Sequence, residues 1–182
     1  MIRVLDVFLS ITGMLIGLPL MMIVTCIGFF DTGSPFFLQK RVGKNKRPFT
    51  LIKFRTMSKN TESVASHLAS VDSITKVGKF LRATKLDELP QLWNVILGDM
   101  SLVGPRPNLF NQEELIFERD KMGIYNVRPG ITGLAQIQNI DMATPARLAE
   151  VDEKMIKTMS VGLYFKCIFA TVFGAGSGDA VK

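Results

Sequence analysis

The chain has a single histidine, His67, and only two cysteines, Cys26 and Cys167. One histidine excludes a metal site built from several imidazoles, and its place in a polar stretch gives no support to a serine–histidine–aspartate triad. The cysteines lie in separate apolar runs without a Cys-x-x-Cys pair, which excludes a zinc ribbon and a disulfide framework. They read as small buried hydrophobes in a reducing compartment. Aromatic residues do not interleave with the basic ones as in a single-strand-binding groove, so nucleic acid is not an expected partner. The first apolar run is too long for a signal peptide, and no small-x-small cleavage site follows it. There is no internal repeat and no sign of a second domain. Acid–base or nucleophilic chemistry is left to carboxylates.

What is present is apolar and basic. The 182 residues are 47% hydrophobic with a formal charge of +6, enough for one domain with a core. From Val7 to Phe30 no residue is charged, a stretch long enough to cross a hydrocarbon core of about 30 Å as a helix. Pro19 stands in its middle. A proline there removes one hydrogen bond and presses on the carbonyl of Leu15, so it bends the helix into two arms of about 18 Å. Such a helix enters and leaves on one face; a straight one spans. Arg3 and Asp6 precede the segment, and a basic cluster from Lys40 to Arg47 follows it, which keeps its C-terminal end cytoplasmic. Both topologies satisfy that pattern.

Residues 35–57, "PFFLQKRVGKNKRPFTLIKFRTM", predict a β-hairpin around Gly43–Lys46. Its second strand alternates, with Ile52, Phe54 and Thr56 on one face and Lys53 and Arg55 on the other. Two cations on one strand face suit phosphates as well as solvent, and the turn cations suit lipid headgroups. Residues 58–73 read as a surface loop, and a helix ending near Arg82 follows. Residues 83–107, "ATKLDELPQLWNVILGDMSLVGPRP", then place Asp87 and Glu88 just ahead of Pro90. Leu89, Leu92, Trp93 and Ile96 have the spacing of one buried helical stripe, and Gly98 is a natural stop. The pattern predicts a helix over about 87–97 with Pro90 in its first turn. The two carboxylates then stand at its positive end, as plain capping residues or as a reactive pair. Arg106, between Pro105 and Pro107, and Arg128, ahead of Pro129 and Gly130, lie on stiff turns suited to bidentate phosphate binding. A last helix spans about Pro145–Met159, with Leu148, Val151 and Met155 on one face. The segment 161–173, broken by Lys166, is too short to span, and lies in the interface or packs on the core.

An ionised aspartate can attack phosphorus, and two adjacent carboxylates are a minimal site for Mg²⁺, which also takes substrate phosphates and waters. The motifs "KFRTM", "LDELPQLWNVILGDMSLVGPRP" and "VRPGITGLAQ", in this order behind a basic-flanked apolar segment, resemble the bacterial sugar transferases. These are monotopic phosphoglycosyl transferases of bacterial glycoconjugate synthesis. The resemblance runs from about Arg3 to the helix after Pro145 and suits the minimal type, a catalytic unit alone. It implies a helix-rich α+β unit on the cytoplasmic face of the inner membrane. Residues 1–31 would be a re-entrant or spanning membrane helix broken at Pro19, 32–160 the catalytic core, 161–173 the interfacial or core-packed segment and 174–182 a flexible tail. The family's break is a Ser-Pro pair, where this chain has Leu18-Pro19.

The resemblance also implies a reaction. A sugar-1-phosphate moves from a UDP-sugar to undecaprenyl phosphate, UMP is released, and Mg²⁺ is required. Asp87 would be the nucleophile and Glu88 the metal ligand with Asp87 beside it. Lys53, Arg55, Arg82, Pro105, Arg106, Pro107, Arg128 and Gly130 would line the substrate site. Membrane lipid is a further expected partner, the oligomeric state is open between monomer and homodimer, and the sugar is not specified. Two other readings stay open from the residues alone: a non-catalytic membrane scaffold with Asp87 and Glu88 as caps, and a phosphatase of lipid-linked phosphates.

Overall fold

The computed structural model describes residues 1–59 and 73–176. His67, most of the expected loop at 58–73 and the end of the 174–182 tail lie outside them. Seven α-helices and two small sheets make up the described residues, a helix-rich α+β unit.

Helix α1 (Ile2–Thr32) begins the chain, and Gly33 ends it in the left-handed conformation that glycine tolerates. The helix was expected to break at Pro19; its helical backbone instead continues through that residue. One missing N–H costs one hydrogen bond, and the turns on either side keep theirs. Strands β1 (Phe36–Val42) and β2 (Pro48–Phe54) pair antiparallel, with Phe36 opposite Phe54 and Val42 opposite Pro48. This is the hairpin that the alternation predicts. The faces are as expected, with Ile52 and Phe54 opposite Lys53, but the cation lies on the covered side: Phe49, Leu51 and Lys53 are buried together, while Pro48 and Thr50 are exposed and Phe54 alone is buried on their face. Phe49 and Leu51 pack into a core with Val95 and Met100, so the Lys53 face is not a solvated one.

Helix α2 (Lys76–Ala83) is capped by Thr75, whose hydroxyl accepts from the Gly78 N–H at 2.8 Å. A Cβ on Gly78 would stand 2.0 Å from the Thr56 carbonyl oxygen; only a glycine lets this helix lie on the end of the hairpin. A 3₁₀ turn (Leu86–Glu88) and helix α3 (Gln91–Leu97) follow. Strand β3 (Ser101–Val103) pairs parallel with β4 (Gly130–Thr132). These two short strands were not expected, since three residues between Gly and Pro carry too little periodicity to read. Helices α4 (Glu113–Lys121), α5 (Leu134–Ile137), α6 (Pro145–Lys157) and α7 (Val161–Val172) complete the unit.

The main core joins Val103, Leu115, Leu148, Val151, Met155, Tyr164 and Cys167. The face expected for α6 is therefore the one buried. Segment 161–173 buries Tyr164 and Cys167 and exposes Phe169, Val172 and Phe173, so it is core-packed along one side only. Cys26, expected to be buried, is exposed on α1.

Both halves of α1 dock on the same unit. Near its start, Asp6 is buried and accepts from Ser101 Oγ at 2.9 Å, the Leu102 N–H at 2.9 Å and the Tyr164 hydroxyl at 2.9 Å. Burial first, then the bond to Asp6, pushes the Tyr164 phenol above its ordinary range. Near its end, Val24 joins Phe54 and Leu81 in a small core, and Asp31 accepts from the Thr75 hydroxyl at 2.7 Å. Between these docks Leu15, Ile16, Leu18, Pro19 and Leu20 are exposed.

Candidate active site

Asp87 and Glu88 do not start an α-helix as the periodicity predicts. Lys85 turns the chain with φ 56°, a left-handed value uncommon for lysine. The next bonds run three residues back, Glu88 N–H to the Lys85 carbonyl and Leu89 N–H to the Leu86 carbonyl, both 3.2 Å. Pro90 has no N–H to offer the Leu86 carbonyl, so α-helical bonding begins behind it. Pro90 is the N-cap of α3, and no side chain of that residue caps the helix. The carboxylates therefore stand on a tight turn outside the helix whose capping would have explained them.

The predicted stripe is also displaced. Gln91, Asn94 and Val95 are the buried residues of α3, while Trp93 is exposed. The helix is wedged between two partners. On one side Asn94 accepts from the Ile52 N–H at 3.1 Å and donates to the Thr50 carbonyl at 2.8 Å, stitching α3 to β2. On the other, Leu92 sits against Gly13 of α1. A buried amide was preferred to a leucine because it satisfies strand groups that are otherwise unpaired.

Asp87 is buried. Glu88 is partly buried and faces the Arg106 guanidinium at 3.4 Å. The 3₁₀ turn packs against both α2 and β2. Those elements bring Arg82 and Lys53. The Lys53 side chain makes no hydrogen bond or ion pair among the described residues, although the residue is 7% exposed. Arg82 donates through Nε to Thr56 Oγ1 at 2.9 Å, and its buried Nη1 has no partner among the described residues. A buried guanidinium donor left without an acceptor is costly unless an anion completes it.

The other expected site residues hold backbone. Arg55 donates to the carbonyls of Ser34 and Phe36 at 3.0 and 3.2 Å and stacks on Phe37. Arg128 donates to the Gly98 carbonyl at 2.7 Å, at the far end of α3 from the dyad. With Arg3, which donates to the Ile96 and Met100 carbonyls, it satisfies the negative end of that helix. A Cβ on Gly130 would stand 2.0 Å from the Gly104 nitrogen, so this glycine allows β3 and β4 to meet. Pro105 and Pro107 accept backbone and arginine donors, from the Gly130 N–H at 2.9 Å and Arg41 Nη1 at 3.1 Å.

Arg119 is the residue that sequence reasoning missed. Fully buried, it donates to Asp152 Oδ2 at 2.6 Å, to Asn108 Oδ1 at 3.0 Å and to the carbonyl of Arg106 at 2.8 Å. Tyr125 completes the network through Asn108 at 3.0 Å. Burial pushes the Asp152 carboxyl up, against the opposing pull of Arg119. The network fixes the loop on which Arg106 reaches Glu88. No local pattern marks it, because Arg119 and Asp152 lie on separate helices.

A family model for bacterial sugar transferases matches residues 1–177. The chain belongs to the bacterial sugar transferase family. Among curated members it is 39% identical to the UDP-glucose:undecaprenyl-phosphate glucose-1-phosphate transferase of Klebsiella pneumoniae, over 90% of this chain and 37% of that protein. A transferase of the same description from Caulobacter vibrioides is 36% identical, over 93% of this chain and 67% of its own length. The exopolysaccharide production protein PSS of Rhizobium leguminosarum is 35% identical, over 93% and 92%. The chain thus spans well under half of the Klebsiella relative and nearly all of the Rhizobium one.

The dyad also meets the chemical demands of Mg²⁺. Among the described residues no group of three or more His, Cys, Asp or Glu converges, which argues against an all-protein cage. Two successive carboxylates are the number that Mg²⁺ usually takes from protein, with substrate phosphates and water in the remaining positions, and Glu88 would exchange its Arg106 partner for the ion.

Proposed function

We propose that this protein is a phosphoglycosyl transferase that moves a sugar-1-phosphate from a UDP-sugar to undecaprenyl phosphate. The observation that carries this reading is the buried Asp87 beside the Glu88–Arg106 pair, on a turn packed against the elements that bring Lys53 and Arg82. The relatives' names supply the donor and acceptor classes. An Asp87 carboxylate oxygen attacks the β-phosphorus of the UDP-sugar. The bond from that phosphorus to the bridging oxygen breaks, and UMP leaves with the oxygen. A phosphate oxygen of the lipid then attacks the same phosphorus and displaces the Asp87 carboxylate, which leaves a lipid diphospho-sugar. Lys53, Arg82 and Arg106 hold the phosphate oxygens and offset charge as each bond changes. Arg55, Arg128 and Gly130 keep the frame in which they do so.

Glu88, with Asp87 adjacent, would hold Mg²⁺, which when bound neutralises phosphate charge. Chelation by EDTA should therefore stop UMP release from a UDP-sugar, and added Mg²⁺ should restore it. Turnover undiminished in EDTA would remove the metal role from Glu88.

We assign α1 as a re-entrant helix on the cytoplasmic face. A straight spanning helix puts its ends on opposite sides of the bilayer, whereas Asp6 and Asp31 bond to one compact unit. Leu15, Ile16, Leu18, Pro19 and Leu20, exposed between the two docks, are the part of α1 that enters the lipid deepest in this topology. With Cys26→Ser as background, Ile2→Cys should resist a membrane-impermeant thiol reagent in intact cells and react after permeabilisation. Labelling of intact cells would refute this topology.

A further inference from the structure

Beside the dyad lies a cavity of about 290 Å³ that the phosphate chemistry does not use. Glu88 and Lys85 are among its lining residues. Its walls are Leu89 and Leu92 from the α3 side, Leu102 and Ile131 from the β3–β4 pair, and Ile168 and Val172 from α7. Thr84, Thr132 and Thr171 add hydroxyls, but those of Thr132 and Thr171 bond to each other, so the lining leaves few donors for a nucleotide diphosphate, which needs them along its length. It suits an apolar chain whose polar head reaches Glu88.

The cavity also faces the direction from which such a chain would come. Leu92 bears on Gly13 of the membrane helix α1. At the other wall, Phe169, Val172 and Phe173 are 56, 73 and 85% exposed, so the end of α7 carries the apolar lining out to the surface. Lys85 donates to the Ala175 carbonyl, which draws the residues after α7 to the rim near the dyad. A mainly apolar pocket that Glu88 and Lys85 help to line, and whose wall residue Val172 is exposed at the surface, suits an amphiphile whose apolar chain fills it and whose head reaches the turn of the dyad.

Resting on the function proposed above, we propose that this cavity holds the phosphate-proximal isoprene units of the lipid acceptor, with α7 as one wall. Donor and acceptor then approach the dyad from different sides. The nucleotide is held by the cations of β2, α2 and the Arg106 loop, and the prenyl chain lies between α3 and α7. The volume sits at the lower edge of ordinary ligand pockets, about 300–1,000 Å³. It takes the head-proximal part of a long prenyl chain and leaves the rest in the bilayer.

The test uses the full chain in lipid nanodiscs and two measurements. In the first, a prenyl phosphate with a diazirine on its first isoprene unit is photolysed on the protein. Adducts are expected within 86–92 and 161–172; adducts confined to other segments would overturn the proposal. This readout needs no turnover, so it stands even if UMP release fails and the proposed reaction is wrong. In the second, Val172→Glu puts a charge at an exposed wall position where folding is little affected. The KM for undecaprenyl phosphate should rise at least tenfold, while the single-turnover release of UMP from UDP-sugar keeps its amplitude. Val172→Leu should behave as the parent. An unchanged lipid KM in both Val172→Glu and the cavity-filling Ile168→Trp overturns the groove.

Discussion

Asp87→Asn should abolish UMP release from UDP-sugar while leaving the fold intact. The amide is nearly isosteric with the carboxylate, so the tight turn and its packing against β2 and α2 survive. What it loses is the nucleophile: a neutral amide oxygen does not form the acyl phosphate. The expected loss in kcat is at least about 10³-fold, or about 4 kcal/mol in the activation barrier. A phosphosugar adduct, visible by intact mass in the parent after quenching, should vanish in the variant. Thermal unfolding should move little. Full activity in Asp87→Asn would end the nucleophile assignment. Two competing readings make different forecasts. If the dyad only shaped a scaffold, Asp87→Ala would cost about 1 kcal/mol, as loss of a cap does, and nothing in turnover. The placement of Pro90, not a carboxylate, at the N-cap of α3 already weakens that reading. A phosphatase would release inorganic phosphate without a nucleotide, and no UMP would appear.

The second large effect lies away from the dyad. Arg119→Ala should destabilise the protein by about 3–5 kcal/mol, because it strands the Asp152 carboxylate in the core. It also withdraws the donors that hold Asn108 and the Arg106 carbonyl. Denaturant unfolding reads the first effect. A double variant, Arg119→Met with Asp152→Leu, separates the two. Removing both charges for apolar side chains of similar size should recover most of the stability, as buried pairs generally allow. It should not recover activity, because the Arg106 loop has still lost its anchor. If the double variant were fully active, Arg119 would be a stability residue only, without a positioning role.

Several features were legible because they are local. The apolar run, the hairpin around Gly43–Lys46, the end of α2 at Arg82 and the buried face of α6 follow from periodicity and from turn chemistry within a few residues. The family resemblance was legible for the same reason, since "LDELPQLWN" and "GPRP" are contiguous strings. The errors cluster where one short segment serves two partners. The stripe of α3 failed because both β2 and α1 bury it, and a solvated Lys53 face failed because that side of the hairpin packs on the core. Sequence likewise cannot show that Arg55 and Arg128 also donate to the backbone carbonyls of Ser34, Phe36 and Gly98.

By itself, then, the sequence determined the family, the presence of a long apolar helix with a proline at its middle and the motif that carries the dyad. The tertiary structure alone decided that Arg106 faces Glu88, that both halves of α1 dock on one unit, and that Arg119 holds the Arg106 loop. The reason is physical. Periodicity and capping act over one or two turns of chain, whereas the bonds that arrange this site join Asp6 to Tyr164, Asn94 to Thr50 and Arg119 to Asp152. Burial strengthens those long-range bonds and makes each one costly to leave unpaired, and burial is a property that only the packed chain possesses.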